Sequence, residues 1–301
     1  MAELFKSKGE TRAWFRNVFG FDEPEGFQAA RAMFEVTGPL HEAVLVTKPP
    51  EGLPRRFYVG DFETPSLSEL RGRIHGEVAD QGHLRFKHVV GNIVDVFKSP
   101  KFEHAVIQAA SQFNCLEMPN PYTTPEEGIT AYYADETQGP VCAMMCPAGT
   151  VFRNYFVNGV GQTRDNQLDT LADVAQMLTR GANNPYWHMQ NGYCFPSDRD
   201  AMEELNDRLR QERGLVEAAM GALRVGVHWS TEVVGGQRVC QVYCAALPLA
   251  YTAYKLRGVM HQLAYVVLCA TYEATFAAAV ILAQQRRARV KLVVSLYIYL
   301  G

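Results

Sequence analysis

The 301-residue chain lacks an excess of positive charge: 29 Lys and Arg stand against 32 Asp and Glu, a formal net charge of −3. No basic field is present to grip a polyanion through its phosphates, so nucleic acid is not an expected partner. No apolar stretch of signal-peptide length follows Met1, and there is neither an internal repeat nor a low-complexity tract. The 7 cysteines are an odd number, scattered without the spacing of a small disulfide scaffold. A reducing, cytoplasmic setting is expected. Also missing are the glycine fingerprint of dinucleotide-binding folds, the phosphate loop of nucleotide hydrolases and the nucleophile elbow of serine hydrolases. Those enzyme classes drop out.

What is present is a globular composition, 48% hydrophobic and 20% charged, in a chain long enough to bury one large core or two smaller ones. One segment contests a water-exposed protein: residues 263–283 carry a single charge, Glu273, near their centre. That length can span a bilayer. The central carboxylate, the many alanines and the absence of aromatic belts favour a covered core helix instead, and no membrane partner is expected.

Residues 1–85 are mixed in texture and broken by the Pro and Gly punctuation of residues 48–54, and they read as an N-terminal extension or cap. Within it, Ser66 followed three positions later by Glu69 is a capping-box spacing ahead of a short helix. Residues 86–301 read as the main domain. Short runs rich in Val, Ile, Tyr and Cys, at 84–97, 104–113, 141–143, 150–157, 223–229, 239–245 and 290–299, have strand character. Helical patterns at 165–178, 198–222 and 258–285 lie among them. Strands alternating with helices predict an α/β domain with a largely parallel or mixed sheet.

In such folds, ligands gather at the loops that follow strand ends. The expected strand at 104–110 runs directly into Ser111, Gln112, Phe113, Asn114, Cys115, Leu116 and Glu117, which offer a hydroxyl, amides and a carboxylate at that place. The same residues also suit a loop that satisfies its own backbone, and pattern alone leaves the two readings level. Further on, Thr124-Pro125-Glu126-Glu127 has a structural explanation: Thr124 as N-cap, Pro125 in the first turn and Glu127 reaching back to the cap. Asp135 follows eight residues later, beside a Gly-Pro turn. Two carboxylates flanking a scissile bond are what hydrolysis at an anomeric carbon requires, one of them orienting or deprotonating water.

Residues 150–156 interleave Arg153 and Asn154 with aromatic rings, and on a strand Arg153 and Tyr155 would share a face. An arginine suits a diphosphate, although strand arginines more often pair with an acid at the surface. The equally spaced pairs Cys142/Cys146 and Cys240/Cys244 run through apolar sequence that suits buried thiols, so no metal is expected. His188 and His228 read as packed rings.

Taken together, VVGNIVDVF followed by HAVIQAAS resembles the opening of a macrodomain. More closely, QAASQFNCLEM, TPEEGITAYYADETQGP, AGTVFRNYF, GQTRDNQ, NGY and QVYCAALPLAY resemble a divergent macrodomain-like family that includes Legionella effectors and eukaryotic relatives. Its members remove ADP-ribose, notably from arginine. The resemblance spans most of the chain and implies a macrodomain-like mixed sheet flanked by helices, behind an N-terminal extension. It implies that Ser111, Gln112, Phe113 and Asn114 embrace the ribose and phosphate, with Phe113 as a stacking ring. Glu127 and Asp135 become the acidic pair, Thr137 and Gln138 flank it, and Arg153 and Asn154 either touch ligand or brace the loop. ADP-ribose or an ADP-ribosylated protein is the implied partner, with no cofactor.

One departure bears on activity. Macrodomains close the phosphate site with a glycine-rich loop after a late strand, because small residues let backbone amides approach the diphosphate. Here that strand reaches the last residue with only Gly301 in the loop's place, as a shortened C-terminus would. The expectations are therefore an ADP-ribosyl hydrolase first, and second a reader that binds ADP-ribose without turnover or a degenerate scaffold.

Overall fold

The computed structural model describes residues 7–39, 43–74, 99–100, 106–134, 143–144, 146–180, 185–234, 237–244, 270, 273–278, 280–281 and 292–294. The Ser7 hydroxyl opens the first helix, α1 (Lys8–Phe19), by accepting the Glu10 amide at 3.3 Å. A spacing of four residues puts the Phe15 and Phe19 rings on one buried face. There they meet Phe21 and Phe34 at centroid separations of 5.1 to 6.2 Å, edge to face. After α2 (Phe27–Ala32), the strands β1 (Phe34–Thr37), β2 (Val44–Thr47) and β3 (Arg56–Tyr58) form a small antiparallel sheet. The punctuated loop at 48–54 joins β2 to β3.

The N-terminal residues do not stop at that sheet. The strand β4 (Phe62–Glu63) pairs antiparallel with β8 (Val227–Val234) at the edge of a second, five-stranded sheet. Its order is β10 (Leu292–Val294), β5 (Val106–Ala110), β9 (Gln237–Cys244), β8 and β4. Strand β5 runs parallel to both neighbours, whereas β8 and β9 are antiparallel, which makes the sheet mixed. The molecule is thus α/β with a mixed sheet, as the alternation of strand and helix patterns predicts.

Ser66 and Glu69 form the expected capping box, Ser66 Oγ taking the Glu69 amide at 3.1 Å and Glu69 Oε2 the Ser66 amide at 2.6 Å. This starts α3 (Leu67–Arg73), whose Leu67 and Leu70 are buried. They share one apolar cluster with Val174, Leu205, Leu209 and Ala219 from α5 (Ala172–Met177), α6 (Arg199–Gln211) and α7 (Arg213–Ala222). A second cluster joins the N-terminal aromatics to Leu116, Met118, Ile129, Tyr132, Val151 and Tyr155. The core therefore unites residues on both sides of position 85.

Several local expectations differ. The run at 150–157, read as a strand, is largely the helix α4 (Pro147–Tyr155), with Pro147 in its first turn. Short apolar and aromatic runs do not separate strand from buried helix by periodicity, and burial of almost every α4 side chain explains the mixture. Ala143, expected in a strand, is helical; only Ala172–Met177 of the helix expected at 165–178 forms; and β8 starts at Val227 rather than at 223. The strand expected at 84–97 lies outside the described residues. Within 263–283, Ala270 and residues 273–278 and 280–281 are helical. Among the described residues no helix is long and apolar enough to cross a membrane. Glu273 accepts from Arg71 Nη2 at 2.8 Å, which lowers its pKa and fixes this helical stretch to α3.

Candidate functional site

The loop leaving β5 is sealed. Ser111 Oγ donates to Glu117 Oε1 at 2.7 Å. The Gln112 amide closes the same loop from within, its Nε2 donating to Met118 O and its Oε1 accepting the Met118 amide, both at 2.8 Å. Asn114 Oδ1 accepts the Leu116 amide at 3.0 Å, a two-residue side-chain turn that lets Cys115 sit at φ 60°. Phe113 has no exposed surface and packs in the first apolar cluster, so both faces of its ring belong to the core. Every one of these four expected ligand residues is buried, and most hydrogen bonds of the three polar side chains serve the loop's own shape.

Arg153, 1% exposed, is the largest fully buried side chain among the described residues. From α4 it donates Nε to Cys115 O at 3.2 Å, Nη2 to Thr150 Oγ1 at 3.2 Å and Nη1 to His228 Nδ1 at 2.8 Å. His228 Nε2 donates to Val59 O at 2.7 Å, which fixes the tautomer and leaves Nδ1 as the acceptor. One guanidinium thus ties the 111–118 loop, α4, β8 and the segment after β3 together. Burial, and then the adjacent Arg153 charge, push the His228 pKa down to about 3, so the ring is neutral. Burial likewise pushes the Cys115 thiol up to about 12, Glu117 adding to the shift and Arg153 opposing it. Asn154 is also buried and donates to Pro125 O at 3.2 Å. The geometry gives Arg153 and Asn154 a bracing role.

Three further amides complete this network without having been singled out by residue type. Gln162 Nε2 donates to Asn114 O and Arg153 O, both at 3.0 Å, and its Oε1 accepts the Leu168 amide at 3.0 Å. Asn114 Nδ2 donates to Gln167 Oε1 at 2.9 Å; Gln167 in turn donates to Asn191 Oδ1 at 2.9 Å, and Asn191 to Pro121 O at 2.7 Å. Asn191 and Gly192, at φ 47° and 77°, turn the hairpin between β6 (Trp187–Gln190) and β7 (Tyr193–Pro196). Asn-Gly between two apolar runs is a strong hairpin signal, and it would have located Asn191 beforehand.

Glu127 occupies different surroundings. Residues Pro125–Glu127 form one turn of 3-10 helix, and Glu127 Oε1 accepts the Thr124 amide at 3.0 Å, the expected reach-back contact. The residue is otherwise exposed and lines a cleft of about 380 Å3. Glu126, Ala131, Tyr133 and Ala134 share its wall, while Lys8, Glu25 and Gly26 come from the N-terminal segment opposite. Glu126 Oε1 accepts the Arg164 amide at 2.8 Å, and its Oε2 is buried without a hydrogen-bond partner among the described residues. Three carboxylates with one lysine make the cleft acidic, suited to water and to a cationic group.

Asp135, Thr137 and Gln138 lie outside the described residues, as does Cys142. Among the described residues no cluster of His, Cys, Asp and Glu is arranged to hold a metal. A second cleft, about 670 Å3, is lined by Phe34, Phe62, Phe152 and Phe156. Its charged groups are engaged elsewhere: Arg31 donates to Gly159 O and Val160 O, Glu63 accepts from Arg73 and Glu35 faces Lys48. It offers walls without chemistry. No family model, curated protein or solved structure matches this chain.

Proposed function

We propose that the chain is a macrodomain-like ADP-ribosyl hydrolase acting on modified arginine. The observation that carries the reading is Glu127: one carboxylate oxygen is fixed by the Thr124 amide while the residue opens onto an acidic cleft. In the reaction, a water oxygen bonds to the anomeric carbon as the carbon–nitrogen bond to the guanidino group breaks. The carboxylate takes the water's proton, and the departing guanidino nitrogen regains one. An acidic cleft favours both the cationic leaving group and the oxocarbenium-like charge. Asp135, which continues the same segment, is the second acid. The mixed sheet, with β5 leading into the polar 111–118 loop, is the support on the side of the nucleotide.

A second reading, a degenerate scaffold whose polar loop is purely structural, is favoured by the buried state of Ser111, Gln112 and Asn114, whose polar atoms already have partners. The test is release of ADP-ribose from an arginine-modified protein by the wild type, Glu127→Gln and Asp135→Ala, alongside thermal unfolding with ADP-ribose. A ligand present at a hundredfold its Kd adds about 2.7 kcal/mol of stability. Release that both variants lose, with the thermal shift retained, supports the hydrolase. A shift without release supports a reader that binds without turnover, neither shift nor release supports the scaffold, and undiminished release by both variants sinks the acidic pair.

A further inference from the structure

Glu23 belongs to the stretch between α1 and α2, far in sequence from Glu127. Its carboxylate accepts the Ile129 amide at 3.0 Å and the Tyr155 hydroxyl at 2.7 Å on Oε1, and the Thr130 amide at 2.9 Å on Oε2. The approach depends on Gly128, where a Cβ would stand 2.7 Å from the carboxylate. Gly128 also has φ 85°, a conformation that side chains resist. Loss of water raises the Glu23 pKa, and the three donors only partly offset it. The carboxyl group is thus held where its charged form is costly, and it touches two amides of the turn that carries Ile129–Ala134.

The cleft explains what this contact joins. One wall is the 126–134 segment, which holds Glu127 and leads to Asp135; the other includes Glu25 and Gly26, two and three residues beyond Glu23. We infer that Glu23 is a positioning residue that clamps these two walls together and sets the placement of Glu127 through the Ile129 and Thr130 amides. This rests on the hydrolase reading. Ser111, Gln112 and Asn114, the residues assigned to the nucleotide, hydrogen-bond elsewhere. The clamp therefore governs the chemical step and leaves ADP-ribose affinity alone.

The isosteric Glu23→Gln turns an N–H toward one of the donors that the carboxylate accepted. It is compared with Leu209→Ala, a substitution in the other apolar cluster, which destabilises without touching the clamp. Backbone amide exchange at Ile129 and Thr130, kcat for ADP-ribose release and the Kd for free ADP-ribose are measured on the full chain. Misplacing a reacting group by about 1 Å costs on the order of a hundredfold in rate, so Glu23→Gln should lose at least about tenfold in kcat and keep Kd within about twofold. Exchange at the two amides should speed up in Glu23→Gln and not in Leu209→Ala. Unchanged exchange overturns the clamp. Faster exchange with kcat equal to that of Leu209→Ala overturns the positioning role. If the wild type releases no ADP-ribose, the hydrolase reading fails by itself, and exchange alone then decides for or against the clamp.

Discussion

Two regions of this molecule put polar side chains to opposite ends. The loop after β5, with Arg153, Gln162 and Gln167 behind it, turns its amides and charges inward and satisfies them against backbone. Eight and nine residues beyond that loop, Glu126 and Glu127 line a cleft, each with one oxygen committed to a backbone amide; the second oxygen of Glu126 is buried, whereas Glu127 is exposed. The difference lies in what surrounds each group. A buried amide that makes all its bonds fixes a shape, and a carboxylate held at one oxygen with access to water can take a proton. The first region is where substitution should break the fold, and the second is where it should break activity.

The sharpest contrast is at Arg153. Arg153→Ala leaves His228 Nδ1 and Cys115 O buried without their donor and opens a cavity in α4. The expected loss in urea unfolding is about 4 kcal/mol, from two orphaned acceptors and the missing volume. A loss below about 1 kcal/mol would mean that the guanidinium is replaceable by water and that the sealed region is not sealed.

Acid should act on the same residues. His228 has a folded pKa near 3 against an ordinary 6.5, so the unfolded chain binds this proton first as pH falls. The neutral ring contributes stability that is fully present above pH 6.5. Each unit below that removes about 1.4 kcal/mol, until pH approaches the folded value. Denaturant midpoints from pH 7 to pH 4 should fall steeply in the wild type and less steeply in His228→Gln. Parallel slopes would locate the acid sensitivity elsewhere.

How much of this was legible beforehand follows the range of the interaction. Capping at Ser66 with Glu69 and at Thr124 with Glu127 is local, spans three residues and could be read directly. The α/β class and the mixed sheet came from the alternation of patterns. The strand expected at 150–157 became α4 because its residues are buried nearly all round, a tertiary circumstance that a period of two or 3.6 does not encode. From the sequence, Arg153 and Asn154 read as ligand contacts or as braces. Their bonds to Cys115 O, His228 and Pro125 O, contributed by three separate segments, are contacts that no local pattern encodes. Glu23 gave no signal at all, because an isolated acid between helices looks like any solvated charge until Gly128 is placed beside it.

Glycine offers an internal control on the same comparison. Gly192 and Gly159 have nearly equal φ, 77° and 78°, so alanine meets the same backbone strain at both. At Gly192 a Cβ would also fall 2.5 Å from Asn114 Cγ, in the sealed network, whereas nothing stands within 4 Å at Gly159. Gly159→Ala should cost about 1 kcal/mol from the left-handed backbone, and Gly192→Ala about 3 kcal/mol once the clash is added. Equal losses would show that the Asn114 side chain moves freely, against its two hydrogen bonds.

The smallest effect is the one that separates fold from chemistry at Glu127. A glutamine in its place keeps an oxygen able to accept the Thr124 amide, because Gln serves the third position of a capping box as Glu does. Stability of Glu127→Gln should therefore stay within about 0.5 kcal/mol of the wild type, while Glu127→Ala, which frees that amide, should lose about 1 kcal/mol. Both substitutions remove the group that accepts a proton, so release of ADP-ribose should fall equally in the two. If activity instead follows stability, surviving in Glu127→Gln and failing in Glu127→Ala, then the carboxylate is a cap alone and the cleft's base must be sought in Glu126 or Glu25, its acidic neighbours.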